Sequence, residues 1–240
     1  MTYCVAIKLN DGLVFAGDTR TNAGVDHVAT YRKLFTFTNN STHSLVLLSS
    51  GNLATTQALV EQLGRVCHNQ TDGLFELPSM FDIASRVGKK LVGLIQEGSE
   101  ISSYQGVDFS CNLLLGGQVQ GEVPRLFHIY PQGNFVEASA ETPFLQIGEE
   151  KYGKPILDRI IAPTTPLQTA LNCALVSLDS TMKSNMTVDM PLDILVYLRD
   201  SFDLSRQRRI DRDDEDFLSM RRYWGTGLRR LLDNMPSFNV

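Results

Sequence analysis

The fold is decided by residues 2–18, which read TYCVAIKLNDGLVFAGD. In the first half of this stretch the side chains alternate between two faces, as they do in a β-strand. One face carries Tyr3, Val5, Ile7 and Leu9, and the other carries Thr2, Cys4, Ala6 and Lys8. The turn Asn10-Asp11-Gly12 then predicts an antiparallel hairpin, whose second strand is the largely apolar run Leu13 to Gly17. Asp18 follows at the end of that strand.

The rest of the chain shows the periodicity of an α+β protein. Further strands are expected at about 33–38, 43–50, 109–116, 125–130, 135–136, 144–147 and 192–198. Apolar stripes at spacings of three and four predict helices at about 53–67, 78–94, 151–160 and 166–182. Residues 19–30 are interpreted as a loop, and 192–198 as the last strand of the chain.

The tail differs in composition from the rest. Residues 211–216 are acidic, whereas the arginines come later, and this order complements the dipole of a helix. A stripe of apolar residues supports a terminal helix. Its members are Phe217, Met220, Trp224, Leu228, Leu231 and Met235. We therefore divide the chain into a domain of residues 1–210 and a helical extension of residues 211–240. The extension either packs on its own domain or makes subunit contacts.

Composition narrows the class of protein. A chain of 240 residues can bury one large core, and its net charge of −5 gives no reason to expect nucleic acid as a partner. No apolar run is long enough for a membrane span, and the N-terminus lacks a secretory pattern, so a cytoplasmic protein is expected. The cysteines and histidines are scattered, which predicts free thiols and no metal site.

Thr2 is the residue with the clearest chemical potential. It follows Met1 directly, so removal of Met1 would give it both a hydroxyl and a free α-amino group. An alcohol is a weak nucleophile that needs a nearby base, and an amine with a pKa of about 8 supplies one. Asp18, Lys33 and Gly51 stand where a carboxylate, an ammonium and an oxyanion donor would be needed. Taken singly, each has a common structural explanation: a turn carboxylate, a solvated lysine, a glycine after a strand.

These segments together resemble a known family. The run Phe15 to Arg20, with Thr2 ahead of it, resembles the N-terminal signature of proteasome β-type subunits. Lys33 to Phe37 is similar to the lysine strand of that family, and Ser49-Ser50-Gly51 to its oxyanion glycine. The opening residues 2–7, the stretch 147–155 and the C-terminal extension resemble the bacterial branch named Anbu, the ancestral β-subunit. The resemblance runs from Thr2 to about residue 200.

The resemblance implies an N-terminal-nucleophile hydrolase fold, a four-layer αββα sandwich of two antiparallel sheets. It also implies a homo-oligomer, as a ring or a spiral, and no cofactor. By motif, Thr2 is the nucleophile and base, Asp18 and Lys33 the supporting pair, Gly51 the oxyanion donor, and Asp179 the carboxylate that orients the N-terminal group. Thr21, Ser49 and Leu53 would line the pocket for the residue before the cleaved bond.

The chain departs from the family pattern in three places. Gly148-Glu149-Glu150 replaces a Gly-Ser-Gly turn, and an ionised Glu149 would raise the pKa of the Thr2 amine and weaken it as a base. Met182 occupies the position of a later serine, with Ser180 close by as a substitute. The loop between Asp18 and Lys33 is one residue shorter.

Three functions remain open at this stage. The first is a self-assembling threonine peptidase or amidase. The second is an oligomeric scaffold with weak or no catalysis, and the third is an amidase acting on small non-protein substrates. The sequence leaves open the substrate, the number of subunits, the removal of Met1 and any ATPase partner.

Overall fold

A computed structural model describes residues 2–22, 28–39, 41–67, 73–101 and 106–238. The first of two large sheets is antiparallel throughout and contains the predicted hairpin at its centre. Its strands, in spatial order, are β10 (Phe144–Gly148), β1 (Tyr3–Leu9), β2 (Gly12–Asp18), β11 (Leu192–Leu198) and β12 (Gln207–Ile210). The hairpin register pairs Cys4 with Gly17 and Leu9 with Gly12.

The second large sheet is also antiparallel, and its spatial order follows the chain. Its strands are β5 (Leu34–Thr38), β6 (His43–Gly51), β7 (Cys111–Val119), β8 (Arg125–Ile129) and β9 (Phe135–Glu137). A separate two-stranded ribbon consists of β3 (Arg20–Asn22) and β4 (Val28–Thr30).

Helices cover the outer faces of both sheets. The described helices are α1 (Leu53–Cys67), α2 (Met80–Ile101), α3 (Lys154–Ile160), α4 (Leu167–Ser184) and α5 (Glu215–Asp233), with a 3₁₀ turn at Leu74–Glu76. The terminal helix α5 begins where Asp214 accepts a hydrogen bond from the Phe217 N–H at 3.0 Å. Such a cap satisfies a backbone donor that the first helical turn leaves free.

Three apolar cores separate the layers. The face of β1 that carries Tyr3, Val5 and Ile7 packs with α3 and α4, and the opposite face, with Cys4 and Ala6, packs against the second sheet. The second sheet packs in turn on α1 and α2. Each fully buried aliphatic side chain contributes about 1.5–3 kcal/mol through removal from water. The predicted α+β class and the αββα sandwich are confirmed.

Three strands of the structure are not predicted by the sequence. Residues 19–30 are not simply a loop, because they contain β3 and β4; residues 23–27 lie outside the described part of the chain. The strand at 192–198 is not the last one, because β12 follows it. The three strands are only three or four residues long, and Arg20–Asn22 and Gln207–Ile210 are mainly polar, so none of the three shows a recognisable apolar alternation. Cross-strand charge pairing stabilises β12 instead, since Arg209 forms two hydrogen bonds to Asp193 at 2.8 and 3.0 Å.

Among the described residues, no helix is long and apolar enough to cross a bilayer. The four cysteines carry free thiols. Burial raises the pKa of the Cys111 thiol to about 11, so this side chain is not a nucleophile at neutral pH.

Candidate active site

The end of strand β2 places a carboxylate inside the protein. Asp18 is fully buried, and its Oδ1 accepts hydrogen bonds from the Tyr3 N–H at 3.1 Å and from Lys33 Nζ at 2.8 Å. Lys33 directly precedes β5, so the pair joins the two large sheets. Its ammonium also donates to the Arg20 carbonyl oxygen at 2.5 Å. A buried ion pair is tolerated only when both partners are held in this way.

Burial also sets the protonation behaviour of this pair. It raises the pKa of the Asp18 carboxyl above its usual range, while the Lys33 ammonium opposes that rise. The second carboxylate oxygen, Oδ2, is buried without a hydrogen-bond partner among the described residues. The carboxylate therefore depends on Lys33 to stay ionised.

Thr2 lies beside the pair, immediately before β1. It is 8% exposed, and its carbonyl oxygen accepts a hydrogen bond from the Glu149 N–H at 2.8 Å. Met1 lies outside the described residues. A cavity of about 260 Å³ opens at Thr2. Its lining is Thr2, Thr21, Arg32, Lys33, Ser49, Ser50, Gly51, Leu53, Thr56 and Gly148. Six of the sequence-predicted residues thus meet at one cavity: Thr2, Thr21, Lys33, Ser49, Gly51 and Leu53.

Two glycines in the cavity wall allow the backbone to approach closely. Gly51 has φ of 121°, and a Cβ at that position would lie 2.4 Å from the Ser110 carbonyl oxygen. Gly148 has φ of 87°, and its Cβ would lie 2.0 Å from the Thr2 carbonyl oxygen. Any larger residue would push these strands apart. The second contact also explains why the Gly148-Glu149 turn can hold Thr2 in place.

Asp179 and Ser180, both on α4, are not in the cavity lining. Asp179 is 1% exposed, and its carboxylate lies 2.5 Å from Nε of Arg221 on α5 and 3.5 Å from Nζ of Lys183. The Arg221 contact is an ion pair that is not aligned as a hydrogen bond, because Asp179 Oδ1 has no hydrogen-bond partner among the described residues. Ser180 donates to the Val176 carbonyl within the helix, at 2.9 Å. Their predicted catalytic roles stay predictions.

Glu149 contributes to the site through its backbone. Its side chain is buried, accepts a hydrogen bond from Asn185 Nδ2 at 2.7 Å and lies 3.5 Å from the Lys151 ammonium. The Glu149 carboxylate is thus held by Asn185 and Lys151, whereas the Glu149 N–H holds the Thr2 carbonyl oxygen. Its predicted effect on the Thr2 amine remains a prediction.

The comparisons with known proteins show the family of the chain. The family model described as "Proteasome subunit" matches residues 2–195. The solved structure of Anbu (ancestral beta-subunit) from Yersinia bercovieri is 48% identical to the chain, with a TM-score of 0.94, and the alignment covers 100% of this chain and 99% of that one. The chain belongs to the Anbu branch of the proteasome family.

Other Anbu structures are similar over the same extent. The helical assembly of the Anbu complex from Pseudomonas aeruginosa is 48% identical, with a TM-score of 0.94 and coverage of 99% of this chain and 98% of that one. Anbu from Hyphomicrobium sp. strain MC1 is 46% identical, with a TM-score of 0.90 and full coverage of both chains. No curated protein matches the chain.

Sequence reasoning missed several parts of this Anbu site. Arg32, Ser50, Thr56 and Gly148 line the cavity, and the Arg20 carbonyl holds the lysine. Arg32 and Ser50 could have been predicted, because they adjoin Lys33 and Gly51 in sequence and adjacent residues often line the same cavity. The contact between the Arg20 carbonyl oxygen and Lys33 could not have been predicted, because every residue carries a backbone carbonyl and the residue type gives no sign of its partner.

Proposed function

We propose that the chain is a threonine hydrolase that cleaves peptide or amide bonds, with Thr2 as its nucleophile after removal of Met1. One observation carries this proposal: Thr2 shares its cavity with Lys33, whose ammonium is fixed 2.8 Å from the buried Asp18 carboxylate. A buried ion pair is costly to maintain, and its location beside an alcohol gives it a chemical purpose.

The reaction begins with proton transfer within one residue. The free amine of Thr2 takes the proton of the Thr2 hydroxyl as Oγ attacks the substrate carbonyl carbon. A C–O bond forms, and the carbonyl oxygen becomes an oxyanion. The leaving amine then departs with that proton and leaves an acyl ester on Thr2. Water then attacks the ester carbon, the amine passes the proton of the water to Thr2 Oγ as the bond between Oγ and the acyl carbon breaks, and the acid is released with the hydroxyl restored.

The groups around Thr2 assist the reaction through electrostatic interactions. The Lys33 ammonium lowers the pKa of the Thr2 hydroxyl and amine, which makes both more reactive near neutral pH. Asp18 and the Arg20 carbonyl keep the ammonium in place. We assign the Gly51 backbone N–H as the oxyanion donor, because Gly51 lines the cavity at the end of β6.

The test is the intact mass of the purified chain before and after incubation with an epoxyketone or β-lactone probe. We expect loss of Met1 and one probe adduct, which peptide mapping places on Thr2. The same probe with its reactive ring opened serves as the control and should leave the mass unchanged. Absence of an adduct on a chain that has lost Met1 would contradict the proposal and favour the scaffold function.

We also propose that the chain assembles with copies of itself. The related Anbu complex from Pseudomonas aeruginosa, whose chain is 48% identical to this one, was solved as a helical assembly. The extension carries the kind of surface that such contacts use. Its exposed large apolar residues are Tyr223, Leu228, Leu231, Leu232, Met235 and Phe238. A monomer seldom exposes so many on one element.

Deletion of residues 211–240 should therefore reduce the size of the oligomer. The measurement is the mass by light scattering, with circular dichroism to confirm that the domain stays folded. A milder variant, Leu231→Asp with Leu232→Asp, should reduce the mass as well, since it puts charge into the apolar surface. Ser219→Asp is the control, because it adds a charge to an exposed position on the same helix. An unchanged mass in the deletion would leave α5 as a packing element.

A further inference from the structure

The structure contains a continuous line of contacts from the C-terminal extension to Lys33. Its first link is Arg20, which is engaged at both ends. The Arg20 carbonyl oxygen accepts the Lys33 ammonium at 2.5 Å, and its Nη1 donates to Asp189 Oδ2 at 2.9 Å. Movement of the Arg20 guanidinium is thereby linked to movement of the carbonyl that holds the lysine.

Asp189 is the second link. Its Oδ2 accepts a further hydrogen bond from Nη2 of Arg212, in the extension, and its Oδ1 accepts the Met190 N–H at 2.8 Å. Burial by itself raises the pKa of the Asp189 carboxyl, but the Met190 N–H and the Arg212 guanidinium outweigh it and hold the pKa below its usual range. The carboxylate is thus charged at neutral pH and shared between two arginines.

The segment around Asp189 also holds the residues that follow Asp18. The Pro191 carbonyl oxygen accepts the Thr19 N–H at 3.0 Å and the Thr19 hydroxyl at 2.7 Å. Residues 189–191 therefore bind Thr19 through its backbone and Arg20 through its side chain. Any shift of this segment moves the chain between Asp18 and the Arg20 carbonyl, which are the two acceptors of Lys33.

At this place the extension contacts the core through two arginines, Arg212 and Arg221. A cavity of about 180 Å³ lies between Arg212 and Arg221 on one side and Met182, Lys183, Asp189 and Met190 on the other. Arg221 pairs there with the buried Asp179, as described above. Two ion pairs at one cavity hold the start of the extension and α5 against the core.

We propose that Asp189 and Arg212 are positioning residues, through which the C-terminal extension holds Arg20 and thereby fixes the ammonium of Lys33. The catalytic consequence rests on the function proposed above, whereas the fixing of Lys33 does not. When Arg20 is released, the ammonium keeps Asp18 but loses its second acceptor. A displaced ammonium activates the Thr2 hydroxyl less well, because catalytic rates fall steeply with small displacements.

The test compares Asp189→Asn and Arg212→Gln with a matched control in the full-length chain. Arg209→Gln is that control: Arg209 forms a two-pronged ion pair with Asp193 on the neighbouring strands, with distances of 2.8 and 3.0 Å. Arg209→Gln removes a similar arginine–aspartate ion pair from the same region of the protein. Among the described residues, however, neither Arg209 nor Asp193 contacts Arg20. Arg212→Lys is the conservative variant, which keeps the charge.

The first readout is the rate at which Lys33 is reductively methylated by formaldehyde and cyanoborohydride, followed by peptide mass mapping. In the parent chain the buried, doubly held amine should react slowly. Arg212→Gln should speed this reaction about two- to fivefold, the range that a partly exposed ion pair supplies. Asp189→Asn, which weakens both arginine contacts, should speed it about tenfold. Arg212→Lys should fall between parent and Arg212→Gln.

The second readout is the rate of probe labelling at Thr2, which should slow by similar factors in the same variants while the affinity for the probe stays unchanged. If Asp189→Asn fails to fold, Arg212→Gln carries the test, since the Arg212 side chain is 70% exposed and its removal leaves the core intact.

The outcomes separate the two proposals. Unchanged methylation of Lys33 in Arg212→Gln overturns the inference, and so does an equal rise in Arg209→Gln, which would indicate general loosening. Faster methylation of Lys33 in Arg212→Gln supports the positioning role whether or not the chain is catalytic. If the parent chain nevertheless never reacts with the probe, the proposed function is overturned while the positioning role stands.

Discussion

Thr2→Ala is expected to abolish both hydrolysis and probe labelling while leaving the fold and the assembly intact. The substitution removes the attacking oxygen, so the rate should fall at least about 10³-fold. The structural cost should be about 1 kcal/mol, because only a hydroxyl and a methyl group are lost from a residue at the start of a strand. The hydrogen bond from the Glu149 N–H to the Thr2 carbonyl does not involve the side chain and remains.

Two companion variants sharpen this experiment. Thr2→Ser keeps a hydroxyl and an amine on the same residue, so it should retain labelling by the probe. Thr36→Ala makes the same chemical change at a half-buried strand position outside the cavity and should behave like the parent. Rates come from a fluorogenic peptide and stability from thermal unfolding. Normal turnover by Thr2→Ala would refute the role of Thr2.

Lys33→Met is the second substitution with a large expected effect, and it acts on stability as well as activity. It leaves Asp18 buried without its ion-pair partner, which should lower the free energy of unfolding by about 3–5 kcal/mol at neutral pH. Labelling of Thr2 should also fail, because Lys33 supplies the ammonium of the described cavity lining and the other cation there, Arg32, is an exposed guanidinium.

The loss of stability in Lys33→Met should depend on pH, with a definite sign. Burial already raises the folded-state pKa of Asp18 above its unfolded value, and removal of Lys33 raises it further. A raised pKa means that the folded state binds the proton more tightly, so its contribution is favourable at low pH and is lost as the pH rises through the folded-state pKa. The difference from the parent should therefore be smaller near about pH 5 than near about pH 8.

A double variant separates the structural from the chemical role of the pair. Lys33→Met with Asp18→Asn removes both charges and keeps an acceptor for the Tyr3 N–H, so it should regain much of the lost stability. It should not regain labelling. Urea unfolding at both pH values measures the stability. A single variant as stable as the parent at neutral pH would contradict the importance of the ion pair.

Much of the fold could be predicted because its signals are local. Alternation in residues 2–9 and the turn at residues 10–12 define the central hairpin, and the two faces of β1 pack against different layers. The ribbon of β3 and β4 and the strand β12 could not be predicted, because the ribbon depends on backbone pairing and β12 depends in addition on the Arg209–Asp193 charge pair. A short polar segment has no periodicity that reveals such partners.

The candidate site was predictable to the extent that it depends on side chains near strand ends. Thr2, Asp18 and Lys33 are 15 or more residues apart in sequence, yet each lies at an element boundary in the two sheets. The surroundings of Asp179 were not predictable, because its partner Arg221 lies in the extension, and the periodicity of the sequence does not specify where the extension packs. The link through Arg20 and Asp189 spans 169 residues and depends on tertiary contacts alone.

Strand β12 has a consequence for how copies of the chain can meet. A sheet that ends in a bare strand invites pairing with a neighbour, and edge charges discourage such pairing. Here the edge reads Gln-Arg-Arg, and Arg208 turns toward Asp214 and Asp216, at 2.5 and 2.8 Å, so that the beginning of α5 is tied across it. The outermost strand of this sheet is therefore poorly suited to pairing with a strand of another copy.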